Sequence, residues 1–393
     1  MKKNKEKSIL VFGGGELQLS VIEECKKLNI FTVVIDPNPS ASGKEFADAF
    51  EVVGGDDFAG TCAGVEKYSI DGIITAATDK PLIMMAKVAE KYGFSFFSEK
   101  TAVISTDKYL MKRVFLENNI PCAKGSLINK IEDSLKYPLI LKPRDNSGSR
   151  GIVFCRTKEE AEEGLNEALA FSKKETILAE EFIGGKEYSV EALHFDNQTN
   201  VLQITEKITT PHPYNVELGH IQPAAISIED ERKINQLINQ IAEAMNFQNC
   251  ASHTELKIND DGIFVIETSP RLGGDFITSR LTPLSTGINM ESELIKIALG
   301  EIPELPEKEK NAAAIFYFDF FEKKQITKDL SFLENIKNKK DVVKFSFNLK
   351  RGMEIPKIKN SLDRYGFIIV AANNRESLIE SAEKYIDEIE NGI

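Results

Sequence analysis

The first 100 residues alternate short apolar runs with amphipathic segments. The apolar runs are typical of buried strands, and the segment between the first two has helical spacing. Such regular alternation predicts a parallel, doubly wound α/β sheet, which is a Rossmann-like arrangement. The predicted strands are residues 8–12, 31–35 and 72–75, and the helix covers residues 17–28.

A glycine-rich turn follows the first predicted strand. Gly13, Gly14 and Gly15 stand there, and Asp36 follows the second strand, as in the start of a dinucleotide-binding motif. The third glycine of that motif is replaced by Gln18. A tight strand-to-helix turn also requires glycine, so we favour a structural role for the turn over a nicotinamide site.

A different pattern begins at residue 101, where strands and helices no longer alternate regularly. The strong hairpin signal Asp261-Gly262 joins two predicted strands. The predicted elements are helices over 108–118, 158–173 and 230–245, and strands over 139–142, 151–155, 251–258 and 263–268.

The C-terminal part follows an acidic, proline-containing segment over residues 300–310, which we interpret as a linker. Strands are predicted at residues 313–318, 342–347 and 367–371, and an amphipathic helix ends the chain. We therefore predict three domains: residues 1–100, 101–300 and 301–393, the last a small α+β domain.

Composition and charge narrow the class of protein. The 393 residues are 42% hydrophobic and 28% charged, the balance of a globular protein. With 49 basic and 61 acidic side chains the net charge is −12, which argues against a nucleic-acid partner. No apolar run approaches the roughly 20 residues of a membrane span, and Gly13 interrupts any signal peptide. We expect a cytoplasmic protein without a membrane partner.

Cysteine and histidine give no metal-binding pattern. The five cysteines are scattered without paired spacing, so the sequence predicts neither a disulfide framework nor a zinc site. The four histidines also lack ligand spacing. Any metal ion is therefore expected on carboxylate oxygens.

A strand-end lysine precedes a loop of small residues. Lys142 ends one predicted strand, and the loop 147–151 (Ser-Gly-Ser-Arg-Gly) leads into the next. Backbone amides of such a loop approach phosphate oxygens closely, and the lysine adds a fixed positive charge. A surface hairpin beside a half-exposed lysine has the same sequence pattern, so both interpretations stay open on these residues alone.

Two carboxylates fall on the strands of the predicted hairpin. Glu255 and Glu267 can meet across it, and Glu267 follows the apolar run 264–266. Solvated carboxylates on an exposed face are the ordinary alternative. A buried carboxylate pair without partners is costly, and a divalent cation with oxygen ligands relieves that cost. Magnesium that shares nucleotide phosphates as ligands fits this pair best. Arg271, in the turn that follows, is the third candidate, against an ordinary surface arginine.

Taken in order, these motifs resemble those of the ATP-grasp superfamily. The similarity extends over essentially the whole chain, and the segments 253–257 and 270–275 look most like L-amino acid ligases. It implies an ATP-grasp fold, preceded by a Rossmann-like parallel α/β domain and followed by a small biotin carboxylase-like α+β domain. The motifs are Asp107-Lys108, Lys142-Pro143, the loop 147–151, Glu180-Glu181-Phe182-Ile183, residues 185–190, residues 253–257 and residues 267–271.

The resemblance also implies roles for single residues. Lys108 and Lys142 would bind ATP phosphates, and Arg271 would stabilise negative charge on the reacting groups together with Lys142. Magnesium, or manganese in its place, would be held by Glu255 and Glu267, with Ser269 where the family has asparagine. The nucleotide would further contact the loop residues Ser147, Gly148, Ser149 and Gly151, the hinge residues Glu180, Glu181, Phe182 and Ile183, and Glu187 on the ribose.

The predicted activity is that of an ATP-dependent carboxylate–amine ligase. It would form an acyl phosphate and then an amide between amino acids or similar metabolites. Glu217, His220 and Arg280 are candidate contacts of these substrates. An ATP-dependent carboxylase acting on bicarbonate and a non-catalytic ATP-binding module are the alternatives. The sequence leaves open whether the chain is a monomer or a homodimer.

Overall fold

The structure is a computed structural model, which describes residues 7–146, 148, 150–212 and 214–393. Two of the predicted nucleotide contacts, Ser147 and Ser149, lie outside the described residues. The helices are α1 (Leu19–Lys27), α2 (Phe58–Tyr68), α3 (Leu82–Tyr92), α4 (Glu99–Ser105), α5 (Lys108–Glu117), α6 (Lys158–Ala170), α7 (Ile228–Met245), α8 (Thr282–Thr286), α9 (Met290–Ala298), α10 (Leu333–Lys337) and α11 (Arg375–Gly392).

The N-terminal sheet has four parallel strands in the order β3-β2-β1-β4. Its central strand β1 is buried along its whole length, because helices cover both faces. This confirms the predicted parallel α/β sheet. The strands are β1 (Ser8–Phe12), β2 (Phe31–Asp36), β3 (Ala49–Val52) and β4 (Gly72–Ile74).

A second sheet has four antiparallel strands in the order β5-β8-β6-β7. Helix α6 packs on it, with Ala161 and Ala168 in a core shared with Leu139, Leu141 and Ile177. The sequence pattern predicts β6 with the bounds that the structure has. The strands are β5 (Gly125–Ile128), β6 (Leu139–Lys142), β7 (Val153–Cys155) and β8 (Ile177–Glu181).

The largest sheet has eight antiparallel strands in the order β13-β12-β9-β10-β11-β14-β16-β15. The first five in chain order are β9 (Lys186–Phe195), β10 (Gln198–Thr209), β11 (Glu217–Gln222), β12 (Cys250–Asn259) and β13 (Gly262–Ser269). The hairpin between β12 and β13 was predicted from Asp261-Gly262.

The C-terminal strands continue this sheet instead of forming a separate one. They are β14 (Ala312–Tyr317), β15 (Val342–Phe347) and β16 (Gly366–Ala372), and β14 pairs directly with β11. Helix α11 packs on them through Leu378, Ala382 and Ile389. The division at residue 300 stays a prediction, since backbone hydrogen bonds join the strands on its two sides.

The two faces of the large sheet differ in chemistry. On β9 and β12, Val190, Ala192 and Leu256 point into a core with Ile234 and Ile238 of α7. The residues between them are polar and face the opposite way, because side chains alternate along a strand.

Among the helices of the described residues, none combines the length and apolar character needed to cross a bilayer.

Candidate active site

A cavity of about 160 Å³ lies between the small antiparallel sheet and the polar face of the large sheet. Eleven of the predicted site residues line it, so residues from five separate sequence segments meet at one place. They are Lys108, Lys142, Gly148, Glu180, Glu181, Phe182, Ile183, Glu187, Glu217, Glu255 and Glu267.

Five predicted residues are not among those that line the cavity. Gly151 has a structural role, because its φ of +75° suits glycine and an added Cβ would approach Phe171 to 2.7 Å. The other four lie elsewhere in the fold: Ser269, Arg271, His220 and Arg280.

The two predicted metal ligands face each other across the hairpin. Glu255 on β12 is directly opposite Glu267 on β13, so their carboxylates project from the same side of the sheet. Each carboxylate pairs with an ammonium group: Glu255 with Lys207 at 3.1 Å, and Glu267 with Lys108. These cations at both carboxylates support a cation site, and carboxylate oxygens are ligands that Mg²⁺ prefers.

No group of three or more histidine, cysteine, aspartate or glutamate side chains within metal-binding reach occurs in the part of the chain that the structure describes. Two carboxylates alone are a sparse ligand set. They fit magnesium, which commonly keeps one or two protein carboxylates and takes substrate phosphates and water as its other ligands.

Lys108 is fixed at the start of α5. Asp107 caps the helix by accepting from the amides of Tyr109 and Leu110, and Arg144 pairs with the same aspartate at 2.7 Å. Burial alone would lower the pKa of Lys108, but the carboxylates of Glu267, Asp79 and Glu255 outweigh it and raise the pKa. Lys108 is therefore a cation beside the carboxylate pair Glu255 and Glu267, which is called the metal pair below.

Lys142 lies at the other end of the cavity in a more deeply buried cluster. Its Nζ is 2.5 Å from Glu180 Oε2, and Lys112 Nζ is 3.4 Å from Glu180 Oε1. Burial lowers the pKa of Lys142, and the positive charges of Lys112 and Lys108 act in the same direction. The pKa of Glu180 is lowered, since the two lysines outweigh its burial.

The predicted hinge is only partly available to a nucleotide. Glu180 pairs through its backbone with β5 and β6, and its carboxylate binds two lysines. The predicted role was a hinge contact with the nucleotide. The amides of Glu181 and Phe182 donate to the carbonyls of Lys124 and Pro138. Among the described residues, the amide of Ile183 has no such backbone acceptor, so it is the hinge donor that remains.

Three aromatic rings form the wall near the hinge. Phe154 of β7 and His212 are stacked with their centroids 4.6 Å apart, and Phe182 lies 4.8 Å from Phe154. Lys257 stands over the ring of Phe182 at 5.2 Å. Sequence reasoning missed Phe154 and His212, because their meeting depends on β7 and the segment before β11 approaching each other in space.

Lys207 is a cation of the site that sequence reasoning missed. It is buried on β10 among three carboxylates, with Glu217 at 3.3 Å and Glu187 at 4.0 Å besides Glu255. Burial would lower its pKa, but the three carboxylates raise it strongly. Only the sheet register brings these four residues together, since they come from four strands.

Arg271 lies next to the N-terminal parallel sheet. Its Nε is 3.0 Å from Asp79, a residue after β4, and its Nη1 donates to the carbonyl of Leu272. The hydroxyl of Ser269 also donates to Asp79. The Ser269 hydroxyl is therefore bound to Asp79, the partner that sequence reasoning missed, and its role as a metal ligand stays a prediction.

The predicted substrate contacts are divided between two places. Glu217 lines the cavity, whereas His220 is 2% exposed and has its Nε2 3.5 Å from Asp275. Arg364 of the C-terminal part donates to Asp275 through Nη1 and Nη2, at 2.7 and 3.1 Å. Arg280 lies in the short π-helix Ile277–Leu281, where its Nη1 donates to the carbonyl of Ser279.

A buried histidine–glutamate pair supports Glu255. His253 Nδ1 is 2.6 Å from Glu191, and His253 Nε2 is 3.6 Å from Glu255. Burial would lower the pKa of His253, but the neighbouring Glu191 raises it to about 9. Gly273 lies against the pair, where an added Cβ would come within 2.9 Å of both side chains.

Two family models match the sequence. Residues 135–279 match the ATP-grasp domain, and residues 328–392 match the L-amino acid ligase C-terminal domain 2. The first match spans β6 to β13 and the Arg271 turn. The second spans β15, β16 and α11.

Curated proteins and solved structures agree with these matches. Alanine–anticapsin ligase of Bacillus amyloliquefaciens is 25% identical over 272 residues, covering 62% of this chain and 57% of that protein. The chain thus spans little more than half the length of this relative. The 2-oxoglutarate carboxylase small subunit of Hydrogenobacter thermophilus is 24% identical over 321 residues, covering 75% and 67%.

The solved L-amino acid ligase of Bacillus licheniformis has the same fold. It superposes with a TM-score of 0.81 at 20% identity, covering 100% of this chain and 98% of that one. The predicted fold class is confirmed by this superposition and by the three sheets described above. Residues 135–279 therefore match an ATP-grasp domain and residues 328–392 an L-amino acid ligase C-terminal domain, and the chain has the fold of the solved L-amino acid ligase.

Proposed function

We propose that the protein is an ATP-dependent carboxylate–amine ligase that joins amino acids or similar small metabolites. The observation that carries this proposal is the cavity in which Lys108 and Lys142 face the opposed carboxylates Glu255 and Glu267. Phosphoryl transfer needs positioning and charge neutralisation more than a protein nucleophile. Both are provided by this arrangement.

The nucleotide would lie along the cavity. The aromatic wall and the free amide of Ile183 suit the base, and Glu187 is placed for the ribose hydroxyls, although it now binds Lys257 at 3.1 Å. Lys142 and Lys108, which both line the cavity, would hold the phosphates between them. Glu180 keeps Lys142 in place before the nucleotide binds, which limits the cost of ordering it.

Magnesium would be held by Glu255 and Glu267. When bound, it supplies charge neutralisation and orientation of the phosphate oxygens during transfer. The residues of this chain perform the rest: Lys108 and Lys142 fix the phosphates, and His253 supports Glu255. Manganese has compatible oxygen ligation and would serve as a probe.

The carboxylate substrate would take the γ-phosphoryl group, forming an acyl phosphate and ADP. An amine then attacks the acyl carbon, so phosphate leaves and an amide forms. Arg271 is the candidate for stabilising the developing negative charge, after exchanging part of its contact with Asp79. Glu217 lines the cavity and is the candidate contact of the acceptor.

The test is phosphate release from ATP and magnesium over a panel of amino acids, offered singly and in pairs. The proposal expects turnover that depends on two amino acids, with a dipeptide as product. The similarity to a carboxylase makes bicarbonate the necessary third arm. Turnover that needs bicarbonate and no amine would replace the ligase by a carboxylase. ATP binding without turnover in any arm would leave only a binding module.

A further inference from the structure

Lys108 is bound to a carboxylate oxygen of Glu267 that a metal ion at this site would need. Its Nζ donates to Glu267 Oε2, and in the described residues it has no other ion-pair partner within salt-bridge distance. Lys207, by contrast, keeps Glu187 and Glu217 if Glu255 changes partner. Lys108 is therefore the ammonium that a cation at Glu267 must displace.

We propose that Lys108 occupies the cation position beside Glu267 and excludes free divalent metal until a nucleotide arrives. The inference rests on the proposed metal site at Glu255 and Glu267. It assigns Lys108 a selective role in addition to phosphate binding: the site accepts metal and nucleotide together and rejects each alone.

The charges of the site explain this selectivity. Lys108 pairs with Glu267 and Lys207 pairs with Glu255, so each of the two carboxylates has a cation beside it. Metal alone would place two positive charges beside Lys108, which would lose its ion pair with Glu267. Nucleotide alone would place phosphates beside two carboxylates. When both arrive, the metal takes the carboxylates and Lys108 takes a phosphate, so every charge again has an opposite neighbour.

The position of Lys108 makes this exchange a small movement. Its backbone is fixed, because its amide donates to the carbonyl of Arg144 and Asp107 caps the helix. The side chain has four rotatable bonds and lines the same cavity as Lys142. A change of rotamer suffices to carry its ammonium from Glu267 toward the phosphates.

The test is Mn²⁺ binding, measured by electron paramagnetic resonance of the free ion, with and without a non-hydrolysable ATP analogue. Without nucleotide, we expect Lys108→Met to bind Mn²⁺ at least about tenfold more tightly than the wild type, since the competing charge is gone. Lys108→Arg keeps the charge and should bind as weakly as the wild type.

Lys257→Met is the matched control. Lys257 lines the same cavity with 12% of its side chain exposed against 13% for Lys108, but its partner is Glu187. We expect its Mn²⁺ affinity to stay within about threefold of the wild type, because its charge is not on the metal pair. An equal gain in Mn²⁺ affinity in both Met variants would mean that any positive charge in the cavity weakens metal binding. This result would overturn the inference.

Two further outcomes separate the inference from the proposed function. If the wild type binds Mn²⁺ with the nucleotide and Lys108→Met is no tighter without it, the exclusion is wrong while the metal site stands. If neither protein binds Mn²⁺ with the nucleotide, the metal site fails, and the inference fails with it. A circular-dichroism melt of each variant establishes that it is folded.

Discussion

The two ends of the cavity hold their lysines in different ways. Lys142 shares one carboxylate, Glu180, with a second buried lysine, and burial lowers its pKa. Lys108 has Glu267 to itself, and nearby carboxylates raise its pKa despite its burial. The first end has spare positive charge, which suits phosphate. The second is balanced and must exchange partners, which suits metal.

The largest expected effect is at the balanced end. Glu267→Gln removes one of two carboxylates from a sparse ligand set, so we expect turnover to fall by about 1,000-fold or more, the scale of losing a major electrostatic contribution. Phosphate release under saturating ATP measures it. Ser269→Ala is the comparison, and its loss should be about tenfold or less because its hydroxyl points to Asp79. Equal losses would restore Ser269 as a ligand.

At the other end, Glu180→Gln should lower stability. It leaves Lys142 and Lys112 buried without a counter-charge, and breaking a buried pair in this way costs about 3–5 kcal/mol of unfolding free energy. Urea unfolding measures the change. Glu181→Gln, at the exposed next position of β8, should cost less than about 1 kcal/mol. A Glu180 variant as stable as the control would mean that the cluster is not charged as described.

A smaller effect is expected at the aromatic wall. His212→Ala removes the ring stacked on Phe154, so we expect KM for ATP to rise by about tenfold with kcat little changed, in keeping with a lost aromatic contact. His212→Phe should restore most of the affinity. A fall in kcat without a change in KM would place His212 in the chemical step instead.

The smallest effect is a shift in pH dependence. Because the pKa of Lys142 lies below the ordinary value of 10.5 and that of Lys108 above it, Lys142 loses its charge first as pH rises. The alkaline limb of kcat/KM for ATP should therefore move to higher pH in Lys142→Arg, which stays charged. Lys108→Arg should leave the limb in place. The reverse order would contradict the difference between the two ends.

Sequence patterns predicted the parts of this site that follow local rules. Asp261-Gly262 predicts the hairpin, and the strand β6 ends at Lys142 as predicted. The exact register, which brings Glu255 opposite Glu267, also depends on a bulge between Glu255 and Leu256. Most predicted nucleotide contacts therefore meet in one cavity. The order of the motifs along the chain led to the ATP-grasp resemblance, and that resemblance implied the other predicted contacts.

The residues that were missed depend on pairing between distant segments. Lys207 meets three carboxylates only through the register of the large sheet, and Asp79 reaches Arg271 from the segment after β4 of the N-terminal sheet. Glu180 was predicted to act through its backbone, yet its burial between two lysines makes its carboxylate the important group. No local spacing carries this information.

Transfer of oxygen-18 from a labelled substrate carboxylate to inorganic phosphate tests the central claim most directly. An acyl phosphate keeps one carboxylate oxygen on phosphorus when the amine attacks carbon. The account therefore predicts one labelled oxygen in each phosphate released with the amide. Amide formation with unlabelled phosphate would contradict the acyl-phosphate route, and with it the function assigned to this cavity.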